Sequence, residues 1–364
     1  MPTANSPLNI LVLEGDGIGA EISAATMQVL HAAQRACGLS LAFESAEIGW
    51  AAHRRHGTTL PDAVFERAKS ADGVVLGPVS HNDYPPRDQG GLNPSGELRK
   101  RLDLYANIRP ARSRAGFPPR CGVTVDMVIV RENTEGFYAD RSMHLGPGEF
   151  MPTPDLALAM RKITRQGSTR IAEAAFKLSM QRRKKVTAVH KANVLRVSDG
   201  LYLECVRAVA ARYPDVEYEE RIIDAMAALL VRDASQFDVV VTTNMYGDIL
   251  SDEASEIAGS LGLAASLNAG AKHAVAQAQH GSAPDIAGKN IANPSSLIGS
   301  VAMLLAWLGE RHGDGRLTKA AATIEAALDR VLASADGRTP DLGGMLGTDA
   351  FGRRVADDIE KAAR

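Results

Sequence analysis

Two aspartates stand one helical turn apart in the stretch GDILSDEAS, directly after the apolar run DVVVTTNMY. Residues at positions i and i+4 of a helix project from the same face, so Asp248 and Asp252 can present both carboxylates to one ligand. A third carboxylate, Asp224, stands in the segment IIDAMAALLV. Three carboxylates, completed by water and substrate, suit Mg²⁺ or Mn²⁺. An acidic first helical turn, stabilised by the helix dipole, is the alternative that needs no metal.

Three arginines have the chemistry of a binding site for carboxylates. Arg99 and Arg109 lie on either side of a helix and turn predicted in ELRKRLDLYANIRPARS, and Arg131 interrupts the apolar run MVIV before a glycine turn. A guanidinium binds a carboxylate through two parallel hydrogen bonds, so converging arginines predict a substrate with several carboxylates. Ordinary surface arginine is the alternative, and the spacing alone does not exclude it.

Two residues have side chains suited to proton transfer. Lys191 follows the predicted strand VTAVH, and Tyr138 stands in the turn NTEGFYAD. A lysine that is withdrawn from water has a lowered pKa and can act as an acid or a base, and a tyrosine can be the second proton-transfer group. A solvated lysine and a buried structural tyrosine are the alternatives.

Two segments could hold a nucleotide. The turn EGDGIG places Gly15, Gly17 and Gly19 between a predicted strand and a predicted helix, where backbone N–H groups can meet a phosphate. Its spacing does not match the GxGxxG fingerprint of a Rossmann fold. In the polar segment HGSAPDIAGKNIANP, Asp285 can accept hydrogen bonds from a ribose 2′-hydroxyl and would repel a 2′-phosphate. An ordinary surface loop is the alternative for this segment.

Short apolar runs alternate with stretches of helical periodicity along the chain, which predicts an α/β fold with a largely parallel sheet. The strand NILVLE precedes the glycine turn, and the strand DGVVLGPV precedes a long polar loop at 80–97. A loop of this length inside a compact domain indicates a functional role. A long helix is predicted at about 155–181.

The bulk properties are those of an ordinary folded protein. The chain has 364 residues, enough for more than one hydrophobic core, and 45% apolar with 23% charged residues argue against disorder. A formal net charge of −2 provides no general attraction for nucleic acid. Three separated cysteines, no signal peptide and no apolar stretch long enough for a bilayer predict a cytoplasmic protein without a membrane partner.

In combination these segments resemble the β-decarboxylating dehydrogenase family, which includes the isocitrate, homoisocitrate, isopropylmalate, and tartrate or D-malate dehydrogenases. The resemblance covers nearly the whole chain, through LEGDGIGAEI, LRKRLDLYANIRPAR, VRENTEGFY, HKANVL, GDILSDEAS and HGSAPDIAGKNIANP. It implies an α/β fold of two domains that is not a Rossmann fold. Residues 1–104 and 259–364 would form the cofactor-binding domain from both termini, and residues 105–258 a central domain for substrate binding and dimerisation.

The resemblance also implies roles for matched residues. It implies NAD and Mg²⁺ or Mn²⁺ as cofactors, a small hydroxy-polycarboxylate as substrate, and a homodimer whose active sites are shared between subunits. Asp224 and Lys191 would reach the site of the other subunit, and Asp285 would favour NAD over NADP. The implied residues are Tyr138 and Lys191 for proton transfer; Arg99, Arg109, Arg131, Asn93 and Ser95 for substrate; Asp224, Asp248 and Asp252 for metal; and His280, Gly281, Ala283, Asp285, Ile286 and Asn293 for cofactor.

The motifs that bear on the C3 substituent of the substrate are mixed. Asn93, Ser95 and Gly96 stand where isopropylmalate enzymes have apolar residues, RENTEG resembles the isocitrate and homoisocitrate branch, and IIDAMA resembles the isopropylmalate branch. We therefore expect oxidative decarboxylation of a 3-substituted D-malate to a 2-oxo acid, CO₂ and NADH, with a polar or carboxylated substituent favoured over isopropyl. Tartrate or D-malate dehydrogenase is the alternative. A non-catalytic regulatory subunit is a further one, although no implied site residue is missing.

Overall fold

The structure is a computed structural model that describes residues 6–138, 143, 144, 146 and 148–363. The strands are β1 (Leu8–Leu13), β2 (Leu41–Ala46), β3 (Gly73–Leu76), β4 (Ala106–Arg112), β5 (Asp126–Glu132), β6 (Glu149–Thr153), β7 (Leu156–Ala159), β8 (Lys185–His190), β9 (Glu217–Ile222), β10 (Val239–Thr242), β11 (Leu267–Ala269) and β12 (Ala274–Gln277). The helices are α1 (Gly19–Cys37), α2 (Gly49–His56), α3 (Asp62–Ser70), α4 (Pro94–Arg101), α5 (Arg165–Met180), α6 (Ser198–Ala210), α7 (Ile223–Asp233), α8 (Asn244–Ala258), α9 (Ser295–His312), α10 (Gly315–Ala333) and α11 (Thr348–Ala362). None of these helices is long and apolar enough to cross a membrane.

A ten-stranded sheet runs through the molecule in the order β2-β1-β3-β12-β11-β4-β5-β10-β8-β9. Most neighbouring strands are parallel, but β11 is antiparallel to both β12 and β4, and β4 is antiparallel to β5. Helices in the connections supply the crossovers that parallel pairs require. The prediction of an α/β fold with a largely parallel sheet is therefore confirmed, and the strand order is not that of a Rossmann fold.

Hydrophobic cores cover both faces of the sheet, because successive side chains of a strand point to opposite faces. In β1, Ile10 and Val12 belong to a core with α1, α9, α10 and α11, whereas Leu11 and Leu13 belong to a core with α3 and α4. The side chains of β5 alternate in the same way, between a core with α5 and α6 and a core with α7 and α8. Each half of the sheet is thus enclosed between two layers of helices.

The sheet joins segments that are distant in sequence at the pair β11–β4, where Leu267 pairs with Ile108. On one side of this pair the strands come from residues 8–76 and 267–277, and on the other from residues 106–242. The predicted domains, 1–104 plus 259–364 and 105–258, divide the strands at the same place. Whether these halves are independent domains stays a prediction.

The long helix predicted at about 155–181 is wrong in its first part. Residues Leu156–Ala159 form β7, which pairs antiparallel with β6, and the helix begins at Arg165. The alternating sequence LALA suits a strand as well as one helical turn, so periodicity could not separate the two. Thr164 marks the true start of the helix, because its hydroxyl caps the Gly167 N–H.

Candidate active site

A cavity of about 320 Å³ lies where α4, β4, β5, α8 and the end of β12 meet. Its walls include Asn93, Ser95, Arg99, Arg109, Arg131, Tyr138, Asp248, His280 and Gly281. Residues that the sequence assigned separately to substrate, proton transfer, metal and cofactor therefore share one cavity.

The Asp248 carboxylate is surrounded by positive charge. Arg131 and Arg109 donate hydrogen bonds to its Oδ1, the latter at 3.2 Å, and the Tyr138 hydroxyl donates to its Oδ2 at 3.2 Å. Burial raises the pKa of this carboxyl, but the charges of Arg131, Arg109 and Arg99 outweigh burial and hold the pKa below its ordinary value. Asp248 is therefore ionised at neutral pH.

Neither aspartate of the GDILSDEAS stretch lies in the first turn of a helix. The helix α8 begins at Asn244, so Asp248 lies in its second turn and Asp252 in its third. Since the helix dipole acts on the first turn, it does not explain these two carboxylates. Asp252 Oδ1 instead accepts a hydrogen bond from Gln279 Nε2 at 2.7 Å and a long one from Arg109 at 3.5 Å.

Two of the three arginines are buried, which excludes the alternative that they are ordinary surface residues. Arg131 is 2% exposed, and its Nε and Nη2 both donate to Asn244 Oδ1. Arg109 is 7% exposed and donates to Asn107 and Ser251. Charged side chains are buried in this way only when they have partners, and these partners hold both guanidinium groups at the cavity wall.

Two glutamines that line the same cavity, Gln277 and Gln279, are not among the residues predicted from the sequence. Gln277 Oε1 accepts hydrogen bonds from Ser95 Oγ at 2.9 Å and from Arg99 Nη2 at 3.3 Å. Asn93 uses its Oδ1 to cap the first turn of α4, which leaves its amide N–H groups for the cavity. The available signal was the sequence AVAQAQH, where polar residues follow an apolar strand. Ligands of α/β proteins bind beside such strand ends.

Lys191 and Asp224 lie outside this cavity and form an ion pair with each other. The hydrogen bond from Lys191 lowers the pKa of the exposed Asp224 carboxyl. The Lys191 N–H also donates to the fully buried Asp199, which fixes the backbone at this lysine. Within the described ranges, no three His, Cys, Asp or Glu side chains are grouped so that they could hold a metal ion. One chain therefore brings together two of the three predicted metal ligands and leaves the third apart.

The glycine turn EGDGIG is held by hydrogen bonds to two other segments of the protein. The Asp16 N–H donates to Pro78 O at 2.8 Å, and the Ile18 N–H donates to Ser282 O at 2.9 Å. Gly17 has a φ of +57°, and a Cβ there would meet Ser282 O at 2.0 Å, so only glycine fits. The N–H groups of Asp16, Ile18 and Gly19 are thus already bonded within the protein, and a phosphate at Gly15 and Gly17 stays a prediction. The turn holds the start of α1 against the predicted cofactor segment.

The predicted cofactor segment begins at one wall of the cavity. His280 lines the cavity, and burial lowers the pKa of its imidazole, which is therefore neutral at neutral pH. Further along the segment, Asn293 is buried, Ala283 and Ile286 pack partly against the hydrophobic core, and Asp285 is exposed. The Asp285 carboxylate is thus accessible to a ligand bound along this segment.

Two buried acceptors on the same wall fit a cofactor that carries hydrogen-bond donors. In the described part of the chain, Gln279 Oε1 and His280 Nε2 have no hydrogen-bond partner. His280 Nδ1 lies 3.0 Å from Gly281 O, and because that carbonyl can only accept, Nδ1 carries the proton and Nε2 is an acceptor. An unpaired buried acceptor costs about 1–3 kcal/mol. The amide, amine and hydroxyl groups of a dinucleotide are donors that would remove this cost.

The chemistry of the donor set also fits a hard divalent cation. Asp248 and Asp252 supply carboxylate oxygens from one helix face, and such oxygens are the ligands that Mg²⁺ and Mn²⁺ prefer. Two carboxylates do not complete the coordination of either ion. The remaining oxygens must come from water, from a substrate or from another chain.

Comparisons with known proteins identify the family. A family model described as Isocitrate/isopropylmalate dehydrogenase matches residues 9–355. The isocitrate/homoisocitrate dehydrogenase of Thermus thermophilus is 43% identical over 353 residues, which are 96% of this chain and 98% of that protein. The 3-isopropylmalate dehydrogenase of Sulfurisphaera tokodaii is 42% identical over 340 residues, 93% of this chain and 96% of that protein. The crystal structure of isocitrate dehydrogenase from Methylococcus capsulatus has a TM-score of 0.85 and 38% identity, and covers 97% of this chain and 99% of that one. The resemblance inferred from the motifs is confirmed, and this chain belongs to the isocitrate/isopropylmalate dehydrogenase family of oxidoreductases.

Proposed function

We propose that this protein catalyses the NAD- and metal-dependent oxidative decarboxylation of a 3-substituted D-malate to a 2-oxo acid, CO₂ and NADH. The observation that carries the proposal is the single cavity in which Arg99, Arg109 and Arg131 meet Asp248 and Tyr138. Cations for the substrate carboxylates, a carboxylate for a metal and a hydroxyl for proton transfer are the groups that this reaction needs. A cytoplasmic location stays a prediction from the sequence.

The charge of the cavity supports a substrate with several carboxylates. Among the described residues that line it are three guanidinium groups and the carboxylate of Asp248. Arg99 donates to the neutral amide of Gln277, a bond that positions its guanidinium at the cavity wall. Guanidinium groups at the cavity wall would bind the carboxylates of an anionic substrate and hold it in a fixed orientation.

The proposed metal site requires a second subunit. Asp248 and Asp252 would be joined by Asp224 of the partner subunit, because Asp224 of the same chain is paired with Lys191 outside the cavity. When bound, the cation would act as a Lewis acid for the negative charge that develops on the substrate oxygens.

Exposed apolar side chains support a homodimer. Val231 on α7 is 62% exposed and Ile249 on α8 is 57% exposed, and the β6–β7 hairpin exposes Phe150, Met151 and Leu158. Contiguous exposed apolar side chains mark interaction surfaces, and Val231 and Ile249 lie on two helices that contact each other. A closed twofold dimer would cover them and place the Lys191–Asp224 pair of each chain at the site of the other.

The proton transfers follow from the chemistry of two side chains. Lys191 would take the proton of the C2 hydroxyl, directly or through water, as hydride moves to NAD. The 2-oxo acid then has a carboxylate β to its new carbonyl, and loss of CO₂ leaves an enolate. Tyr138 would give a proton to the enolate carbon, and the hydroxyl proton taken by the lysine balances this transfer.

The proposed preference for NAD depends on one carboxylate. Asp285 is exposed on the segment that begins at the cavity wall. A carboxylate in this place can accept hydrogen bonds from both ribose hydroxyls of NAD, whereas it repels the 2′-phosphate of NADP.

The lining of the cavity favours a polar or carboxylated C3 substituent. Asn93 presents amide N–H groups and His81 a ring nitrogen, while the aliphatic part of the lining comes from Pro78, Val79 and Ala278. The Thermus thermophilus relative is named for isocitrate/homoisocitrate and is 43% identical, and the Sulfurisphaera tokodaii relative is named for 3-isopropylmalate and is 42% identical. Sequence identity therefore does not distinguish between these substrates. The polar lining is therefore the argument for a polar substituent.

Production of NADH with Mg²⁺ across isocitrate, homoisocitrate, 3-isopropylmalate, D-malate and tartrate tests the proposal. We expect turnover of at least one carboxylated 3-substituted malate, release of CO₂ in equal amount, and loss of both on chelation of the metal. Reduction of NAD without CO₂ release would contradict the decarboxylation, and no turnover of any of the five compounds would refute the catalytic assignment.

A further inference from the structure

We propose that Gln279 is a positioning residue that couples the binding of a divalent cation at Asp252 to the binding of a dinucleotide along residues 280–294. The inference rests on the proposed function, since both ligands belong to it. It depends on the N–H₂ and C=O groups of one side-chain amide. These two ends of the amide face two different predicted ligands.

The first end of the amide fixes a predicted metal ligand. Gln279 follows β12, and its Nε2 donates to Oδ1 of Asp252 on α8 at 2.7 Å, so the bond joins the segment after β12 to a helix of the 106–258 part of the chain. A carboxylate can only accept hydrogen bonds, so the N–H₂ group must face Asp252 and Oε1 must face away. The Asp252 side chain is 53% exposed, and its contact with Arg109 is long. Gln279 therefore restricts the rotamers of Asp252 and leaves its second oxygen available for a cation.

The second end of the amide is a buried acceptor that has no donor. Neither Gln279 Oε1 nor the adjacent His280 Nε2 has a hydrogen-bond partner within the described residues, and both side chains line the cavity beside the cofactor segment. A native structure that leaves two neighbouring acceptors buried and unpaired indicates that a bound group satisfies them. A donor of the dinucleotide that bonds to Oε1 fixes the amide, and the amide in turn fixes Asp252.

The backbone at this residue is already fixed, so the side chain is the part that ligands can order. The Gln279 N–H donates to Ser296 Oγ at 3.1 Å, and the same hydroxyl donates to Ala264 O. Whichever ligand binds first pays the entropy of ordering the shared amide, and the second ligand binds more tightly for that reason. The effect must be reciprocal, because coupling between two binding equilibria is a single free energy.

The test measures binding without turnover. Electron paramagnetic resonance gives the dissociation constant of Mn²⁺ with and without saturating NADH, and NADH fluorescence gives that of NADH with and without Mn²⁺. In the unaltered full-length protein we expect each ligand to tighten the other by about five-fold or more. Gln279→Leu removes both hydrogen bonds at similar volume, so the mutual effect should disappear and Mn²⁺ alone should bind more weakly. Gln166→Leu, at an exposed position on α5, is the matched control and should change neither constant.

A second variant separates positioning from general damage to the site. Gln279→Glu keeps an acceptor for the dinucleotide and replaces the donor to Asp252 by a negative charge. Mn²⁺ should then bind more tightly than in the unaltered protein, because a carboxylate is added beside the cation, while NADH alone should bind no more tightly. A residue that served only local packing would weaken both ligands in both variants.

The outcomes distinguish the coupling from the proposed function. If Mn²⁺ and NADH both bind the unaltered protein without affecting each other, or if Gln279→Leu retains the full mutual effect, the coupling is refuted and the proposed function stands. If neither ligand binds the unaltered protein, the proposed function fails and the coupling fails with it.

Discussion

Arg131 and Asp248 form an ion pair in which the guanidinium is almost fully buried and the carboxylate faces the cavity. The ring of Tyr138 lies on the same guanidinium, with its centroid 5.8 Å from the Arg131 Cζ. A proposed substrate-binding cation, a proposed metal ligand and a proposed proton donor therefore contact one another directly. A change at any of the three is expected to alter the other two.

The free energy of unfolding should depend on pH through Asp248. Burial raises the pKa of this carboxyl, but Arg131 and Arg109 outweigh burial, so its pKa in the folded protein lies below that in the unfolded chain. The ionised carboxylate thus stabilises the fold above the unfolded pKa, and this contribution is lost as the pH falls through the folded pKa. The difference in unfolding free energy between the unaltered protein and Asp248→Asn should be largest near neutral pH and shrink below about pH 4. Urea unfolding in chelator across this range measures it, and a difference that does not vary with pH would contradict the ion pair.

Asp252→Asn should abolish metal-dependent turnover and leave the fold intact. The amide oxygen is a weaker cation ligand than a carboxylate, and loss of several kcal/mol of Lewis-acid stabilisation lowers kcat by about a hundred-fold or more. The side chain is largely exposed, so the melting temperature should stay nearly unchanged. Asp357→Asn, at an exposed position on α11, is the control and should keep full activity. Near-normal turnover of the Asp252 variant would argue against metal ligation.

Asp285→Lys should change the cofactor preference from NAD towards NADP. The change replaces repulsion of the 2′-phosphate by attraction and removes an acceptor for the ribose hydroxyls, so the ratio of kcat/KM values should move by about ten- to a hundred-fold. Asp285→Asn removes the repulsion alone and should produce a smaller change in the same direction. Steady-state kinetics with both cofactors provides the measurement. An unaltered ratio in both variants would show that the 280–294 segment does not hold the ribose.

Gly96→Leu should select against substrates with long C3 substituents. Gly96 lines both the central cavity and an adjoining one, and a Cβ at this position would meet nothing closer than 3.5 Å. The backbone therefore does not require glycine here. A glycine inside a helix lowers the free energy of unfolding by about 0.5–1 kcal/mol relative to alanine. A leucine should fill the space between the two cavities that Gly96 lines, so that kcat/KM for homoisocitrate falls at least about ten-fold, while that for D-malate, which has no C3 substituent, changes little. Gly315→Leu, in open space at the start of α10, should affect no substrate, and equal losses for all substrates in the Gly96 variant would contradict the prediction.

Mixed dimers should recover activity that neither parent has. If each site uses Tyr138 of one subunit and Lys191 of the other, Tyr138→Phe and Lys191→Met are both inactive as homodimers. Unfolding and refolding an equal mixture makes half of the dimers hybrid, each with one intact site, which restores about a quarter of the normal activity. Recovery of no activity, with hybrids confirmed by mass spectrometry, would show that each site lies within one chain.

The type and spacing of residues were enough to predict the α/β fold, whereas the convergence of the charged groups was only suggested by spacing and was implied by the resemblance to a known family. The i and i+4 spacing put Asp248 and Asp252 on one face of α8, and Arg131 interrupts an apolar strand, a place where a charge persists only with buried partners. The spacing could not predict the first residue of α8, because TTNMY is equally compatible with the end of a strand. The helix-dipole alternative stayed open for that reason alone.

The other contacts of the site join residues that are distant in sequence, so no local sequence pattern predicts them. Gln277 and Gln279 reach Ser95, Arg99 and Asp252 across long sequence distances, and glutamine has no charge or periodicity that would single it out. The β6–β7 hairpin was missed for a related reason. Its four-residue alternation is too short to separate from a helical turn, and its pairing partner is set by register and not by residue type.

Because β12 lies between β3 and β11, the sheet cannot be completed until β12 has been synthesised. The strands from residues 106–242 can pair as soon as that stretch has left the ribosome, but β3 gains its second neighbour only when residues 274–277 arrive. Until then β3, whose four residues are all buried in the finished fold, has an open edge of unpaired backbone N–H and C=O groups. A nascent chain that stops before residue 274 is therefore a candidate for aggregation and chaperone capture, and not a smaller enzyme.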